Sequence, residues 1–248
     1  MRTPWSLLAD LVRADPARPR LTCYDDAPGP TQGERIELSA RVFANWVAKA
    51  ANALQEEYDV GPGSVVRLDL PVHWRTVYWA FAAWSVGATV DLRDPPDDAR
   101  AADVVVTTTH VAGPPSGPVV QVTLAALARA APGVVPPGVM DEARELATYA
   151  DTFDPWATPE PADSALVTDA GVTAYADLVP AATGATAVRL GLSGSPGQVL
   201  VGLLGAWAQG GSVVMVREPD PLKRADRSVE EGISRWAGPA EPPPECAH

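Results

Sequence analysis

The segment Asp163-Ser-Ala-Leu-Val-Thr168 has the apolar centre of a buried β-strand. The segment Val172-Thr-Ala-Tyr-Ala-Asp-Leu-Val179 predicts the helix that follows this strand. Only Asp169, Ala170 and Gly171 lie between the two segments, and none of the three is a lysine. A strand joined to a helix by so short a turn is typical of an α/β domain.

The same alternation of strand and helix runs through most of the 248-residue chain. Strands are predicted at 65–70, 88–92, 103–107, 119–122, 187–192 and 212–216. Helices are predicted at 39–54, 74–86, 195–208 and, after the capping-box pattern Ser228-x-x-Glu231, at 229–236. Short connections between such elements predict an α/β fold in which a mainly parallel sheet carries helices on both faces.

Composition indicates where these units divide. Residues 153–162 contain three prolines and are predicted to link a first α/β lobe at 1–152 to a second lobe at 163–237. We expect the two lobes to pack on each other as one domain. Residues 238–248 are predicted to form a flexible tail.

The charge of the chain argues against two classes of partner. Its formal net charge is −12, whereas nucleic acids and anionic lipid surfaces are both bound through lysine and arginine side chains. We therefore expect neither nucleic acid nor a membrane as a partner. Residues 1–15 lack the features of a signal peptide, and no apolar stretch reaches the ~20 residues that span a bilayer. These observations predict a cytoplasmic protein.

The cysteines and histidines do not form a metal-binding pattern. Cys23 and Cys246 stand alone near the two ends of the chain. The three histidines have no ligand partner at i+4 or in a Cys-x-x-Cys frame. We predict no metal site and no disulfide framework.

Several segments, in their order along the chain, resemble one known domain. They are Glu37-Leu-Ser39 with the helix after it, Val60-Gly-Pro-Gly-Ser-Val-Val-Arg67, Trp79-Ala-Phe-Ala-Ala-Trp-Ser-Val-Gly-Ala-Thr-Val90, Asp91-Leu-Arg-Asp-Pro95 and Trp207-Ala-Gln-Gly-Gly-Ser-Val-Val214. Together they resemble the large N-terminal domain of the adenylate-forming enzymes, which include acyl-CoA synthetases, firefly luciferase and the adenylation domains of nonribosomal peptide synthetases. The chain also resembles a small actinobacterial family that corresponds only to this N-terminal part.

The departures from that superfamily bear on function. The resemblance implies a long loop rich in Gly, Ser and Thr at 168–171, with a lysine that holds the phosphates of ATP, but the chain has only a short turn there. The chain also stops before the family's adenine-binding segment, its magnesium motif, its ribose-binding aspartate and its C-terminal domain with the catalytic lysine. We therefore expect no cofactor, since the site for ATP-Mg is lost.

Two hypotheses of function follow from this resemblance. The first is a non-catalytic relative of the AMP-dependent synthetases and ligases, acting as a binding or protein-interaction module, with a homo-oligomer or a protein partner. The alternative is an acyl- or nucleotide-binding enzyme, similar to an acyl-CoA synthetase, that a partner chain completes. Fold resemblance alone does not decide between the two.

The first candidate site follows the strand predicted at 103–107. Open α/β sheets bind ligands beyond the carboxyl ends of their strands. Thr107, Thr109 and His110 lie at that position and are candidate ligand-binding residues. A surface loop with an exposed histidine is the competing interpretation.

The second candidate site is Gly191-Leu-Ser-Gly-Ser-Pro-Gly197, between a predicted strand and a helix. Ser193, Gly194 and Ser195 lie where free backbone N–H groups at a helix N-terminus bind anions. An ordinary turn, with Ser195 acting only as the helix N-cap, is the competing interpretation.

No catalytic residue is predicted. The stretch from Gly191 to Ser195 nearly matches the nucleophile pattern Gly-x-Ser-x-Gly, but it has serine where the last glycine should be. A hydrolase would also need a histidine later in the chain, and His248 is the only histidine that follows. Asp94, Asp97 and Asp98 form a carboxylate cluster that we interpret as a solvated turn, because nothing apolar surrounds it to shift a pKa.

Four of the eight tryptophans lie on predicted core-facing helices and are expected to be structural. Trp5, Trp156 and Trp236 lie near the termini or the predicted linker. They either pack on the body of the protein or form a surface for a partner.

Overall fold

The computed structural model describes residues 1–93, 102–113, 117–184 and 186–238. The helices are α1 (Pro4–Ala14), α2 (Ala40–Tyr58), α3 (Trp74–Ser85), α4 (Glu142–Glu145), α5 (Tyr175–Leu178), α6 (Pro196–Ala208) and α7 (Arg224–Glu230). Two short 3-10 helices lie at Leu146–Thr148 and Pro221–Lys223. The predicted turn at Asp94, Asp97 and Asp98 and the tail from residue 239 lie outside the described residues.

The strands form two mixed, mainly parallel sheets. Their bounds are β1 (Pro19–Asp25), β2 (Arg35–Ser39), β3 (Val65–Asp69), β4 (Thr89–Asp91), β5 (Val104–Thr107), β6 (Val119–Gln121), β7 (Val139–Asp141), β8 (Ser164–Thr168), β9 (Gly171–Ala174), β10 (Arg189–Leu192), β11 (Ser212–Arg217) and β12 (Arg235–Ala237). One sheet has the order β12-β10-β11-β1-β2, and the other has the order β7-β6-β5-β3-β4-β8-β9. The hairpins β1–β2 and β8–β9 supply the antiparallel pairs. The predicted α/β fold class is confirmed.

The two sheets are interleaved along the chain. Residues 163–237 contribute β8 and β9 to one sheet and β10, β11 and β12 to the other, where β11 pairs with β1. Residues 150–156 lie along α2. Asn52 donates to the carbonyl oxygens of Ala150 and Thr152, and Gln55 donates to that of Asp154. The proline-rich segment is therefore held against the body of the protein at its beginning.

Helix α3 forms the centre of the core, and all twelve of its residues are buried. It contacts α2 and strands of both sheets. The rings of Phe43, Phe81 and Trp207 meet with centroids 5.2–5.4 Å apart, which joins α2, α3 and α6. Trp84 donates to the carbonyl of Ala165 at 2.8 Å, so its indole N–H is satisfied although the residue is buried. The tryptophans predicted on core-facing helices lie against the core.

The segment predicted as a helix at 172–179 is a strand in its first half. Val172 pairs with Val167, and Gly171 pairs with Thr168, so Asp169 and Ala170 form a two-residue hairpin turn. Gly171 has a φ of 134°, which a residue with a side chain rarely adopts. The helical prediction was wrong for 172–174 because the β-branched residues here complete a sheet edge, and helix begins only at Tyr175.

The helix predicted at 229–236 lies earlier in the chain. Helix α7 spans Arg224–Glu230, and Gly232, with a φ of 62°, follows its end. Ser228 does not cap a helix: its hydroxyl donates to the carbonyl of Arg224 at 2.7 Å and accepts from the Trp236 indole at 2.9 Å. Residues Arg235–Ala237 form β12 instead, because they pair with β10.

Close packing at Gly191 makes β12 sensitive to one methyl group. A Cβ atom at Gly191 would lie 2.4 Å from the ring of Trp236. We expect Gly191→Ala to displace this ring and to lower the free energy of unfolding by about 1–3 kcal/mol, as overpacking does. Gly205→Ala is the matched control, since a Cβ there meets nothing within 4 Å in α6. Urea unfolding checks both variants, and equal stabilities would contradict this packing.

A network of charges holds the segment after α7 to the sheet that contains β1, β2 and β10. The Glu231 carboxylate accepts from Arg35 at 2.8 Å, from Tyr24 at 2.5 Å and from Arg189 at 2.5 Å. Burial alone would raise the pKa of Glu231, but these hydrogen bonds outweigh it and lower the pKa to about 2. The folded state therefore stabilises the ionised form of Glu231 more than the unfolded state does.

This network predicts that the free energy of unfolding decreases at acidic pH. Because the folded pKa is depressed, the stabilisation is present above the unfolded value of ~4.3 and is lost as pH falls toward about 2. We expect Glu231→Gln to lower the free energy of unfolding by about 2 kcal/mol at pH 7 and by much less near pH 3. Exposed Glu230→Gln is the control and should change little at either pH. A pH-independent difference for Glu231→Gln would contradict the assignment.

Candidate functional site

A cleft of about 840 Å³ lies where strands of both sheets end. Its walls come from Leu92 after β4, from the end of β8, from Leu192 at the end of β10 and from Ala237 at the end of β12. The first turns of α6 close one side. A cleft of this volume beyond the carboxyl ends of strands is the usual position and size of a small-molecule site in an α/β protein.

A second cleft of about 650 Å³ adjoins the first. The two clefts share Leu92, Asp169, Ser195 and Pro196. The smaller one extends along the ends of β3 and β5, where residues 67–71 and Thr108 line it. Ser195 and Asp169 therefore mark the junction of the two clefts.

The predicted residues of the helix turn lie at this junction. Ser193 lines the larger cleft, and Ser195 lines both. Gly194 is exposed in the turn with a φ of 118°. Ser195 accepts a hydrogen bond from the backbone N–H of Gln198, and the Gln198 side chain accepts from the N–H of Ser195. The N-cap interpretation is therefore correct, and the capping box occupies two donors that an anion would need.

Two of the predicted residues after β5, Thr107 and Thr109, make hydrogen bonds within the protein. Thr107 is buried, and its hydroxyl donates to Asp69 at 2.7 Å. The backbone N–H of Thr109 donates to the Thr107 hydroxyl at 3.0 Å. His110 is exposed and has no hydrogen bond to any described residue, whereas its neighbour Thr108 lines the smaller cleft. The strand-end position was thus located by sequence, but the lining residue is Thr108.

Two arginines of the smaller cleft bind a buried carboxylate. Arg93 and Arg67 approach Asp91 to 2.8 and 3.3 Å, and the Asp91 side chain is 1% exposed. Burial alone would raise the pKa of Asp91, but the hydrogen bonds from Arg93 and Arg67 lower it. Both guanidinium groups are therefore engaged inside the protein, and the single carboxylate of Asp91 offsets one of their two positive charges.

The two-residue hairpin turn at Asp169 and Ala170 follows β8, where the sequence resemblance implied a phosphate loop. Its Ala170 N–H donates to the Thr168 hydroxyl at 3.3 Å. A Cβ atom at Gly197 would lie 3.0 Å from the Thr168 methyl group, so the first turn of α6 packs closely on the end of β8. Among the described residues that line the larger cleft there is no lysine or arginine, and Asp169 is the one charged residue.

The described residues contain no group of three or more His, Cys, Asp or Glu side chains arranged to hold a metal ion. None of their helices combines the length and apolarity needed to cross a membrane.

The fold matches solved structures of adenylate-forming enzymes. Acyl-CoA synthetase from Brucella canis superposes with a TM-score of 0.69 over 96% of this chain and 47% of its own, at 16% identity. The N-terminal domain of FACL13 from Mycobacterium tuberculosis gives a TM-score of 0.66 over 95% of this chain and 62% of its own, also at 16% identity. A fatty acyl CoA synthetase from the same organism gives 0.64 over 94% of this chain and 48% of its own, at 14% identity. The chain therefore has the fold of the N-terminal domain of this superfamily and spans about half the length of the full synthetases.

A closer relationship comes from sequence. A TIGR03089 family protein of Mycobacterium tuberculosis is 37% identical over an alignment 256 residues long, which covers 95% of this chain and 99% of that protein. The chain belongs to the TIGR03089 family. No protein-family model matches it.

The capping role of Ser195 can be measured. Ser195→Ala removes the hydroxyl that accepts from the Gln198 N–H, so we expect the free energy of unfolding to fall by about 1 kcal/mol. Ser195→Asp should keep most of the stability, since aspartate is an equally good N-cap. Urea unfolding of both variants is the test. An unchanged stability in Ser195→Ala would show that the hydroxyl does not support the helix.

Proposed function

We propose that this chain is a non-catalytic binding module, in which the adenylate-forming fold holds a small, largely apolar molecule without ATP. This proposal rests on one observation, which is that an open cleft lies beside a turn too short to be a phosphate-binding loop. The larger cleft has leucine, valine, alanine and glycine on its walls. The turn where a phosphate loop would stand has two residues, Asp169 and Ala170.

The energetic cost of losing phosphate contacts supports a role without ATP-Mg. Hydrogen bonds to charged groups contribute about 1.5–3 kcal/mol each. Three missing contacts would weaken binding by about 5 kcal/mol or more, which is several powers of ten in affinity. The carboxylate of Asp169 would also repel a triphosphate. We therefore infer that neither ATP nor magnesium is a cofactor.

We also propose that the protein is cytoplasmic and that it acts as a homo-oligomer or with a protein partner. The cysteine content supports this location, because Cys23 is buried and free rather than part of a disulfide framework. The net charge of −12 supports a partner other than nucleic acid or a membrane.

A second candidate is an enzyme that a partner chain completes. It is favoured by the coverage of the synthetase structures, of which the chain spans about half. In this case the ends of the strands would still bind an acyl ligand, and another polypeptide would supply the groups that bind ATP. The two candidates differ in whether a stoichiometric partner accompanies the ligand.

Native mass spectrometry of the purified full chain tests the proposal. We expect a bound small molecule in the wild type. Val201→Trp should lose it, because Val201 lines the larger cleft and a tryptophan there would fill the space. Val229→Trp is the matched control on α7, since Val229 is 84% exposed and does not line the cleft. It should retain the ligand.

Three outcomes separate the candidates. Loss of the ligand in Val201→Trp alone supports the binding module. A stoichiometric second polypeptide together with the ligand favours the partnered enzyme. A wild-type protein without any bound molecule, and without binding when apolar compounds are added, contradicts both.

A further inference from the structure

The charges around the two clefts indicate which headgroup a ligand would carry. In the larger cleft the one charged residue among the described lining is Asp169. It makes no hydrogen bond or ion pair with any other described residue. It is an exposed residue of the hairpin turn, and it lines both the larger and the smaller cleft at their junction.

The smaller cleft does not offset this negative charge. Its arginines, Arg67 and Arg93, bind Asp91, which is 1% exposed. An anionic ligand would have to compete with this buried carboxylate for the same guanidinium groups. Asp69 adds a second carboxylate to the lining, and its neutral hydrogen-bond donors, the hydroxyls of Thr107 and Thr109, do not cancel its charge.

The backbone donors nearby are also occupied. The capping box of Ser195 and Gln198 satisfies two N–H groups at the start of α6. The Ala170 N–H in the hairpin turn is bound by the Thr168 hydroxyl. A phosphate or carboxylate entering the larger cleft would therefore meet a free carboxylate and few free donors.

We propose that the ligand of the larger cleft is an amphiphilic cation, whose ammonium group contacts Asp169 while its hydrocarbon part lies among Leu92, Leu166, Leu192 and Val201. This inference rests on the proposed function and specifies the chemical class of its ligand. Asp169 determines the preference for the headgroup, and the apolar walls supply affinity that does not depend on charge.

Three eight-carbon probes separate these contributions. Isothermal titration calorimetry of the full chain at neutral pH compares octylamine, 1-octanol and octanoate, which have similar chains and differ in headgroup charge. We expect octylamine to bind about fivefold more tightly than octanol, as for a partly exposed ion pair, and octanoate to bind more weakly than octanol. Salt at about 0.5 M should reduce the advantage of the amine, because it screens exposed charges.

Two variants locate the effect. Asp169→Asn should bring octylamine to within about twofold of octanol, without weakening octanol. Asp177→Asn removes the same charge from an exposed position on α5 that does not line either cleft, and it should keep the full preference for the amine.

The results that would overturn this inference differ from those that would overturn the proposed function. Equal affinity of octylamine and octanol in the wild type overturns the cationic headgroup but leaves an apolar binding module. An equal loss in Asp169→Asn and Asp177→Asn assigns the preference to the net charge of the protein and overturns the role of Asp169. Absence of binding by all three probes overturns this inference, and the mass-spectrometric test then decides whether the proposed function fails with it.

Discussion

The packing of α6 on the β8–β9 hairpin is the constraint on which the site depends. Thr168 and Gly197 approach so closely that a single Cβ on the glycine would lie 3.0 Å from the threonine methyl group. This contact joins the end of a strand in one sheet to the helix that follows β10 in the other sheet. The two-residue turn at Asp169 and Ala170 keeps the hairpin short enough for that approach. The cleft between the sheets is therefore open, and the turn beside it has only two residues.

The β8–β9 hairpin is held in place by sheet pairing and by Tyr175. The strands β8 and β9 pair over Ser164–Thr168 and Gly171–Ala174, and β8 continues the parallel sheet through β4. Tyr175, at the start of α5, donates from its hydroxyl to the carbonyl of Ala88, which anchors the chain after the hairpin to the β4 side of the core. Sheet pairing and core burial thus stabilise this region independently of any bound phosphate.

Local patterns in the sequence were sufficient to predict the fold class and most of the elements. The apolar stripe of α2 repeats with the period of a helix, and the short continuous apolar runs of β5 and β11 are typical of buried strands, so their types could be assigned. The helix assignments at 172–174 and 231–236 were wrong because each segment is short. Whether they form helix or strand is decided by pairing with β8 or β10, which lie outside the local pattern.

The site was predictable only where it follows the end of one strand. Ser193 and Ser195 were proposed because they lie between a strand and the N-terminus of the next helix, and both line the larger cleft. The contributions of Leu92 and Asp169 were missed, because the cleft arises where two sheets meet. One of those sheets requires β1 to pair with β11, almost the whole chain away. Burial had to be known before Asp91 could be recognised as the partner of Arg67.

The most direct test of the central claim is ATP binding by the full chain. Equilibrium dialysis with ATP-Mg at up to about 1 mM, together with pyrophosphate exchange in the presence of carboxylic acids, measures what the missing loop would supply. The closed turn at Asp169 and Ala170 predicts no saturable binding and no exchange. Saturable binding of one ATP per chain, or exchange with any acid, would contradict the claim that this fold has lost its phosphate site.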